Sequence, residues 1–450
     1  MYYKKEKFLI LTVGNNTDSL IKTINDEKFN QDLIYFIHSS ESKDKVQEII
    51  EKTGIVQEKD YKCLEVEDAN DFEKCFRDSR NLIKELNEGN NEIGIDFTGG
   101  TKPMSLGLVL SVLDNEKLTY IIYTAGNRDN EGIGNVISGF EEITEQLNPY
   151  NTLAINEFKR GKEFFDNYQY RSALENFELA KDKTNDSKLK ELAEYYIKLV
   201  KFYQRWDKFD KNIKLYDKKE KLPIALKELI EDCPKSFNNN IENHNKFINK
   251  MNENYKFLIN KFDSDKSKGI KYFLPDLLNN AYRKIEEGNY DDAVARLYRC
   301  IELIAQLELN NMGIIDIKGL DSYEFYINKE KFDKKVKNKP RIKEEINKWY
   351  EFKNNKDKIE ISRNKSYKLL KLFKNPIGEK YFNNRKLKNK IQLRNTSILA
   401  HGLNALNRKD TEQLYKIVLE FSEESFEHIN RKNPDLKIYM ELSKFPKFNQ

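Results

Sequence analysis

The sequence predicts a doubly wound, Rossmann-like α/β domain with a mostly parallel sheet, followed by an all-α remainder. Three observations carry this. From Phe8 to about Glu145, short β-branched apolar runs alternate with amphipathic stretches. Beyond Pro149 strand signals nearly vanish, and apolar residues recur at helical spacing. The chain has 450 residues, about three times a typical single domain, so more than one core is expected.

In order, the strand runs are FLILTVG (8–14), LIYFIHS (33–39), YKCLEVE (61–67), EIGIDFT (92–98) and LTYIIYT (118–124). Their continuous hydrophobicity points to parallel strands covered on both faces. Between them DKVQEIIEKTG, FEKCFRDSRNLIKELN and MSLGLVLSVLDN read as helices. The Gly/Asn-rich stretch 126–135 reads as a turn into one antiparallel strand, NVISGF, and Pro149 closes the domain. Two later segments, 164–180 and 286–305, resemble each other weakly, with Tyr170 and Ala173 matching Tyr290 and Ala293. Two copies so far apart read as ordinary helical hairpins rather than a repeat array. The expected division is 1–148, 149–261 and 262–450.

A composition of 34% charged and 38% hydrophobic residues is more charged than average, yet 27 Phe and 25 Tyr exclude a wholly disordered chain. The net charge of +5 conceals an uneven division. Residues 1–145 carry 17 basic and 28 acidic side chains, whereas 329–390 carry 22 basic and 8 acidic. Cys63, Cys75, Cys233 and Cys300 have neither zinc-ligand nor disulfide-framework spacing, which fits a reducing cytoplasm. The Phe8–Val13 run is too short for a signal peptide, and no run is long enough to span a membrane. A soluble, cytoplasmic protein is expected.

Ligands of open parallel sheets sit beyond the carboxyl ends of strands. After the first strand comes Gly14-Asn15-Asn16-Thr17-Asp18, where Thr17 or Asp18 can cap a helix and leave its N–H groups facing a ligand. After the fourth comes Asp96-Phe97-Thr98-Gly99-Gly100-Thr101-Lys102-Pro103. Paired glycines allow close backbone approach, Thr98 and Thr101 offer hydroxyls, and Lys102 offers a point charge. That combination suits a phosphate, although a plain Gly-Gly turn with capping threonines is the alternative. Neither GxxxxGK[ST] nor GxGxxG is present.

Of the four histidines only His401 follows an arginine at short spacing, through Arg394 in IQLRNTSILAHGL. On one helix, seven residues are two turns, leaving both side chains on one face about 20° apart. Arg394 can clamp a scissile phosphate, His401 can move protons near neutral pH without any metal, and Asn395 can orient either. An incidental Arg and a capping His on an exposed helix is the bland reading. Arg296, Arg299, Glu302 and Gln306 read as the wet side of an amphipathic helix. The basic block, with interleaved aromatics, reads either as a grip for single-stranded RNA or as a solvated insertion.

DFTGGTKPMSLGL after a buried strand resembles the CARF domains of CRISPR-associated ancillary effectors, and RN followed by AHG resembles the R-x(4–6)-H motif of HEPN ribonucleases. EGNYDDAVARLYRCIELIAQ (287–306) is similar to the opening helix of the same HEPN family. The order of the two motifs identifies the chain as similar to the CARF-HEPN effectors of type III CRISPR systems. That resemblance implies a CARF domain at 1–148, a helical linker region and a HEPN domain at 262–450. It implies an allosteric activator, cyclic tetra- or hexa-adenylate of undetermined ring size, bound by Gly14, Asn15, Asn16, Thr17, Asp96, Thr98, Gly99, Gly100, Thr101 and Lys102. It further implies a homodimeric, metal-independent endoribonuclease cutting single-stranded RNA through its 2′-hydroxyl, with Arg394, Asn395 and His401 of two copies forming a composite site and no cofactor. A non-catalytic sensor that recruits a partner, or a CARF domain that degrades its own activator, remain the alternatives. Residues 150–260 and 329–390 have no motif in the resemblance.

Overall fold

A computed structural model describes residues 6–29, 31–87, 91–113, 115, 117–128, 136–146, 148, 153–184, 186–215, 219–234, 241–263, 269–318, 324–327, 329–350, 362–396, 405–431 and 435–449. The chain forms two compact units, one of residues 1–158 with 179–190 and one of 159–178 with 191–450. Most of the stretch expected as a linker region therefore belongs to the second unit.

The first unit is built on β1 (Lys7–Thr12), β2 (Leu33–His38), β3 (Tyr61–Glu65), β4 (Glu92–Asp96), β5 (Leu118–Arg128) and β6 (Val136–Gln146). Their order in the sheet is β3-β2-β1-β4-β5-β6, parallel except for the last pair. The helices are α1 (Asp18–Asn25), α2 (Lys43–Thr53), α3 (Phe72–Leu86) and α4 (Lys102–Val112). Strand β1 shows why its sequence is continuously apolar. Phe8 and Ile10 pack into the core containing α3 and α4, while Leu9 and Leu11 pack into the core containing α1 and α2. β3 lies at the sheet edge, and only Tyr61 of its five residues is buried. The antiparallel arm is longer than the sequence reading: β5 continues to Arg128, and β6 extends to Gln146. From β1 the chain winds outward through β2 to β3 and then returns to the other side of β1 as β4. The loops leaving β1 and β4 thus diverge at a topological switch point.

The rest of the chain is helix-rich: α5 (Ile155–Asp166), α6 (Tyr170–Lys183), α7 (Ser187–Asp207), α8 (Leu222–Glu231), α9 (Ile241–Lys261), α10 (Phe273–Glu286), α11 (Tyr290–Asn311), α12 (Lys329–Val336), α13 (Pro340–Tyr350), α14 (Arg363–Leu372), α15 (Pro376–Asn383), α16 (Arg385–Thr396), α17 (Arg408–Ile429) and α18 (Leu436–Leu442), with parts of α5, α6 and α7 counted in the first unit. Two short hairpins accompany these helices, β7 (Asn212–Lys214) with β8 (Lys219–Lys221) and β9 (Ile315–Lys318) with β10 (Glu324–Ile327). Strands of three or four residues leave too little periodicity to read.

The two similar sequence segments share a real turn. Tyr168 and Gly288 take left-handed backbone conformations, and the N–H groups of Gln169 and Asn289 return to the carbonyls of Phe164 and Lys284, each at 2.8 Å. Ala173 and Ala293 are then buried one turn into the following helices. α11 forms the spine of the C-terminal part and packs against α10, α14, α16 and α17. Its buried Glu308 accepts hydrogen bonds from Asn375 (3.0 Å) and Ser425 (2.8 Å) and meets His428 Nδ1 at 2.8 Å. A buried carboxylate is tolerable because its oxygens are so fully engaged.

The C-terminal tail joins the middle helices to this spine. Phe448 packs on Phe165, Tyr196 and Phe247 with ring centroids 4.9–5.2 Å apart. Asp166 accepts the backbone N–H groups of Phe448 (2.7 Å) and Asn449 (3.1 Å). Phe445 lies over the Arg283 guanidinium at 3.8 Å, and Arg283 donates to Asp207 at 2.7 Å. Burial alone would raise the Asp207 carboxyl, but Arg283 and Lys284 override it and hold it below its usual value. Phe448→Ala should therefore cost the second unit about 3 kcal/mol. Urea unfolding followed by Trp206 fluorescence measures this; an unchanged midpoint would contradict the anchoring role of the tail.

Candidate functional sites

At the switch point the two predicted loops lie against each other. A Cβ on Gly14 would come within 2.6 Å of the Gly100 nitrogen, and one on Gly99 within 2.2 Å of the Thr12 carbonyl oxygen. Gly100 also has φ +79, a conformation that side chains disfavour. Gly14 and Gly99 are thus required by contact between the loops, and Gly100 by its backbone conformation. The Gly99 carbonyl accepts hydrogen bonds from Thr12 Oγ1 and Ser105 Oγ, each at 2.7 Å. Thr12 ends β1 and Ser105 lies on α4, so both neighbouring elements hold one carbonyl.

Asp96 points into the protein. It is fully buried, accepting the Thr98 N–H at 2.9 Å and the Thr23 hydroxyl at 2.8 Å. Thr98 Oγ1 accepts the Thr124 N–H at 2.8 Å, which fastens the loop to β5. Thr101 caps α4 through the Met104 N–H and donates its hydroxyl to the Ala69 carbonyl. At the first loop, Asn16 Oδ1 rather than Thr17 or Asp18 accepts the first helical N–H, that of Asp18, at 3.1 Å. Thr17 is buried and donates to Glu48 at 2.8 Å. Glu48 also takes Lys45 and Lys52, and these bonds hold its carboxyl down to about 2.

What faces solvent is a different subset. Asn15 and Lys102 are exposed, and Asn16, Gly14, Gly99, Gly100 and Thr101 are half-buried. Lys102 opens α4, where the first N–H groups and the helix dipole favour an anion. The arrangement is a backbone cradle with one cation, supported from beneath by Asp96 and Thr98. Thr12, Thr23 and Ser105 were not singled out from the sequence. The one available signal was a hydroxyl residue, Thr12, ending an otherwise apolar strand.

In the second unit, Arg394 and Asn395 lie on α16, their side chains outside the described structure, and His401 lies outside the described residues. The elements flanking the His401 segment are well tied. Lys390 of α16 pairs with Asp410 of α17 at 2.7 Å. Asn407 caps α17 by accepting the Asp410 N–H at 2.9 Å, and Arg408 reaches Glu286 of α10 at 3.0 Å. Of the α11 stripe, Arg299 bonds Gln306 (2.9 Å) and Glu302 (3.4 Å), and Arg296 turns to Asn280 and Asp292. These side chains are engaged with one another and with α10.

Residues 14–157 match the family model described as the Card1 CARF domain, and residues 262–425 match that described as the Csm6 HEPN domain. No curated protein sequence matches the chain. Among solved structures, Enterococcus italicus Csm6 bound to cyclic hexa-2′-fluoro-hexa-dAMP is similar at 17% identity and TM-score 0.46, over 97% of this chain and 98% of that one. The crystal structure of protein VC1899 from Vibrio cholerae is similar at 12% identity and TM-score 0.25, over 62% of this chain and 68% of that one.

Burial raises the Asp96 carboxyl above its ordinary value of 3.8, and the bonds from Thr98 and Thr23 only partly oppose this. A carboxyl with a raised folded pKa favours folding most below its unfolded pKa, and that contribution is lost as pH rises through the folded value. Asp96→Asn keeps an acceptor for the Thr98 N–H and removes the charge. The stability of Asp96→Asn relative to wild type should therefore rise between pH 4 and pH 7. Urea unfolding of the first unit at both values checks it, and a pH-independent difference would contradict it.

Proposed function

We propose that the chain is a CARF-HEPN ribonuclease, an endoribonuclease activated by a cyclic oligoadenylate in type III CRISPR defence. The observation that carries this reading is the pairing of a CARF match over the switch-point cradle with a HEPN match over the helices bearing Arg394. Activator phosphates meet backbone N–H groups of the two loops, the start of α4 and Lys102. Because residues 1–145 carry an excess of acid, such local donors rather than an overall field must hold the anion.

In the second unit Arg394 binds the scissile phosphate and stabilises charge as the 2′-hydroxyl attacks, and Asn395 orients the reacting groups. His401 moves the proton, leaving a cyclic phosphate on one fragment and a 5′-hydroxyl on the other. No step needs a metal. Two copies of the chain contribute their motifs to one composite site, so the working form is a homodimer. Cyclic tetra- or hexa-adenylate activates by binding one arrangement of that dimer more tightly than the other. The hydroxyls of Thr98 and Thr101 are already engaged with Thr124 and Ala69, which argues for a binding cradle over an activator-cleaving site.

The test uses labelled single-stranded RNA in EDTA with each cyclic oligoadenylate. Wild type should cleave with one ring size, and His401→Ala should be slower by about 10² to 10⁴. Equal rates would overturn the catalytic assignment. Lys102→Ala, which removes one charged contact, should raise the activator concentration for half-maximal cleavage about tenfold or more; an unchanged value would remove Lys102 from the cradle.

A further inference from the structure

The basic block forms a groove. Between the start of α13, the end of α14 and α15 lies a cavity of about 1080 Å³, bordered by Lys339, Arg341, Lys368, Lys371 and Lys374, with Glu379 the one acidic side chain among the described residues that line it. A neighbouring cavity of about 460 Å³ shares Lys368 and Phe382 with the first and adds Arg363 and Lys388. The two make one cationic track. Lys368 is paired with Glu345, but Lys339, Arg341, Lys371, Lys374 and Lys388 have no carboxylate within ion-pair distance among the described residues. Among the described residues that charge has no acidic partner.

The track also contains aromatic faces. Lys371 and Lys388 stand 5.2 and 5.1 Å from the Phe382 ring centre, and Lys339 stands 4.8 Å from that of Phe373. Both rings are half-buried. A lysine held on a ring by a cation–π contact is easily exchanged for a base, after which the ammonium is free for a phosphate. Only an unpaired base can reach such a face. α16 begins at Arg385, three residues after Phe382, and six residues separate Lys388 from Arg394, about 9 Å along a helix.

We propose that this groove seats the single-stranded RNA flanking the cut. Lys339, Arg341, Lys371 and Lys374 hold phosphates there, and Phe382 stacks a base. The proposal rests on the ribonuclease reading above and adds a substrate-binding surface outside the motif residues. It explains why a charged block is folded into helices instead of forming a tail: α14 and α15 fix the cations at one rim.

The experiment uses full-length protein carrying Lys339→Gln, Lys371→Gln and Lys374→Gln together, with the triple Lys→Arg variant as a folding and charge control. Binding of an uncuttable 20-nucleotide 2′-O-methyl RNA is followed by anisotropy across a salt series. Each lost single-strand phosphate contact lowers the log–log salt slope by about 0.7, so the Gln variant should lose about 2 and the Arg variant should retain the wild-type slope. With activator saturating, the KM for a 30-nucleotide RNA should rise tenfold or more in the Gln variant, and a 6-nucleotide RNA should be cut within twofold of wild type. An unchanged slope and KM in the Gln variant would overturn the groove. Wild type that cleaves no RNA would overturn the activity reading, and the slope on the uncuttable strand would still decide the groove.

Discussion

The contact between the β1 and β4 loops is the constraint on which the sensing half of the protein depends. Gly14 and Gly99 bring two backbones to a separation that admits no Cβ. Everything nearby serves that approach. Thr12 and Ser105 tie the Gly99 carbonyl, Asp96 holds the Thr98 N–H, and Thr98 fastens to β5. The result is a fixed loop rim at the switch point, in a domain whose net charge would otherwise repel an anion. Keeping a buried carboxyl beneath such a rim is unfavourable by itself. Its hydrogen bonds to the loop turn that cost into a fixed geometry.

Charge is divided between the units as their tasks require. The sensor takes a small anion and needs few cations, so an acidic surface limits competition from long nucleic acids. A nuclease acting on single strands needs the opposite, which is the part proposed above for Lys339, Arg341, Lys371 and Lys374. In the second unit the tail and the middle helices share one aromatic core, centred on Phe165, Tyr203, Trp206, Phe445 and Phe448. The helix carrying Arg394 and most of the segment that the sequence suggested as a linker region therefore belong to the same compact unit.

Much of this was legible in the sequence, and the reasons are physical. Strands β1, β2 and β4 are buried on both faces, so their apolar runs are unbroken, and the glycine loop announces a close backbone approach. Edge strand β3 was read correctly as a strand but not as one covered on both faces, since four of its five residues are not buried. What escaped depends on distance along the chain. Asp166 meets Phe448 and Asn449, and Glu308 meets His428, through folding that no local pattern encodes. Likewise a sequence cannot tell an acid facing a ligand from one beneath the loop, and Asp96 is the second kind. The Arg394–His401 pair was legible as a motif alone, and its side chains lie outside the described structure.

The central claim is that loop contact in the first unit makes the activator cradle and that the cradle governs RNA cleavage by the second. Gly99→Ala places a Cβ where the Thr12 carbonyl stands. The decisive measurement takes one preparation of that variant and determines activator affinity by calorimetry, the activator dependence of RNA cleavage, and affinity for uncuttable RNA without activator. The account predicts that activator affinity falls at least about tenfold, that the cleavage curve shifts by a matching factor through linkage, and that RNA affinity stays within about twofold. Wild-type activator affinity, or lost affinity with undiminished activation, would contradict it.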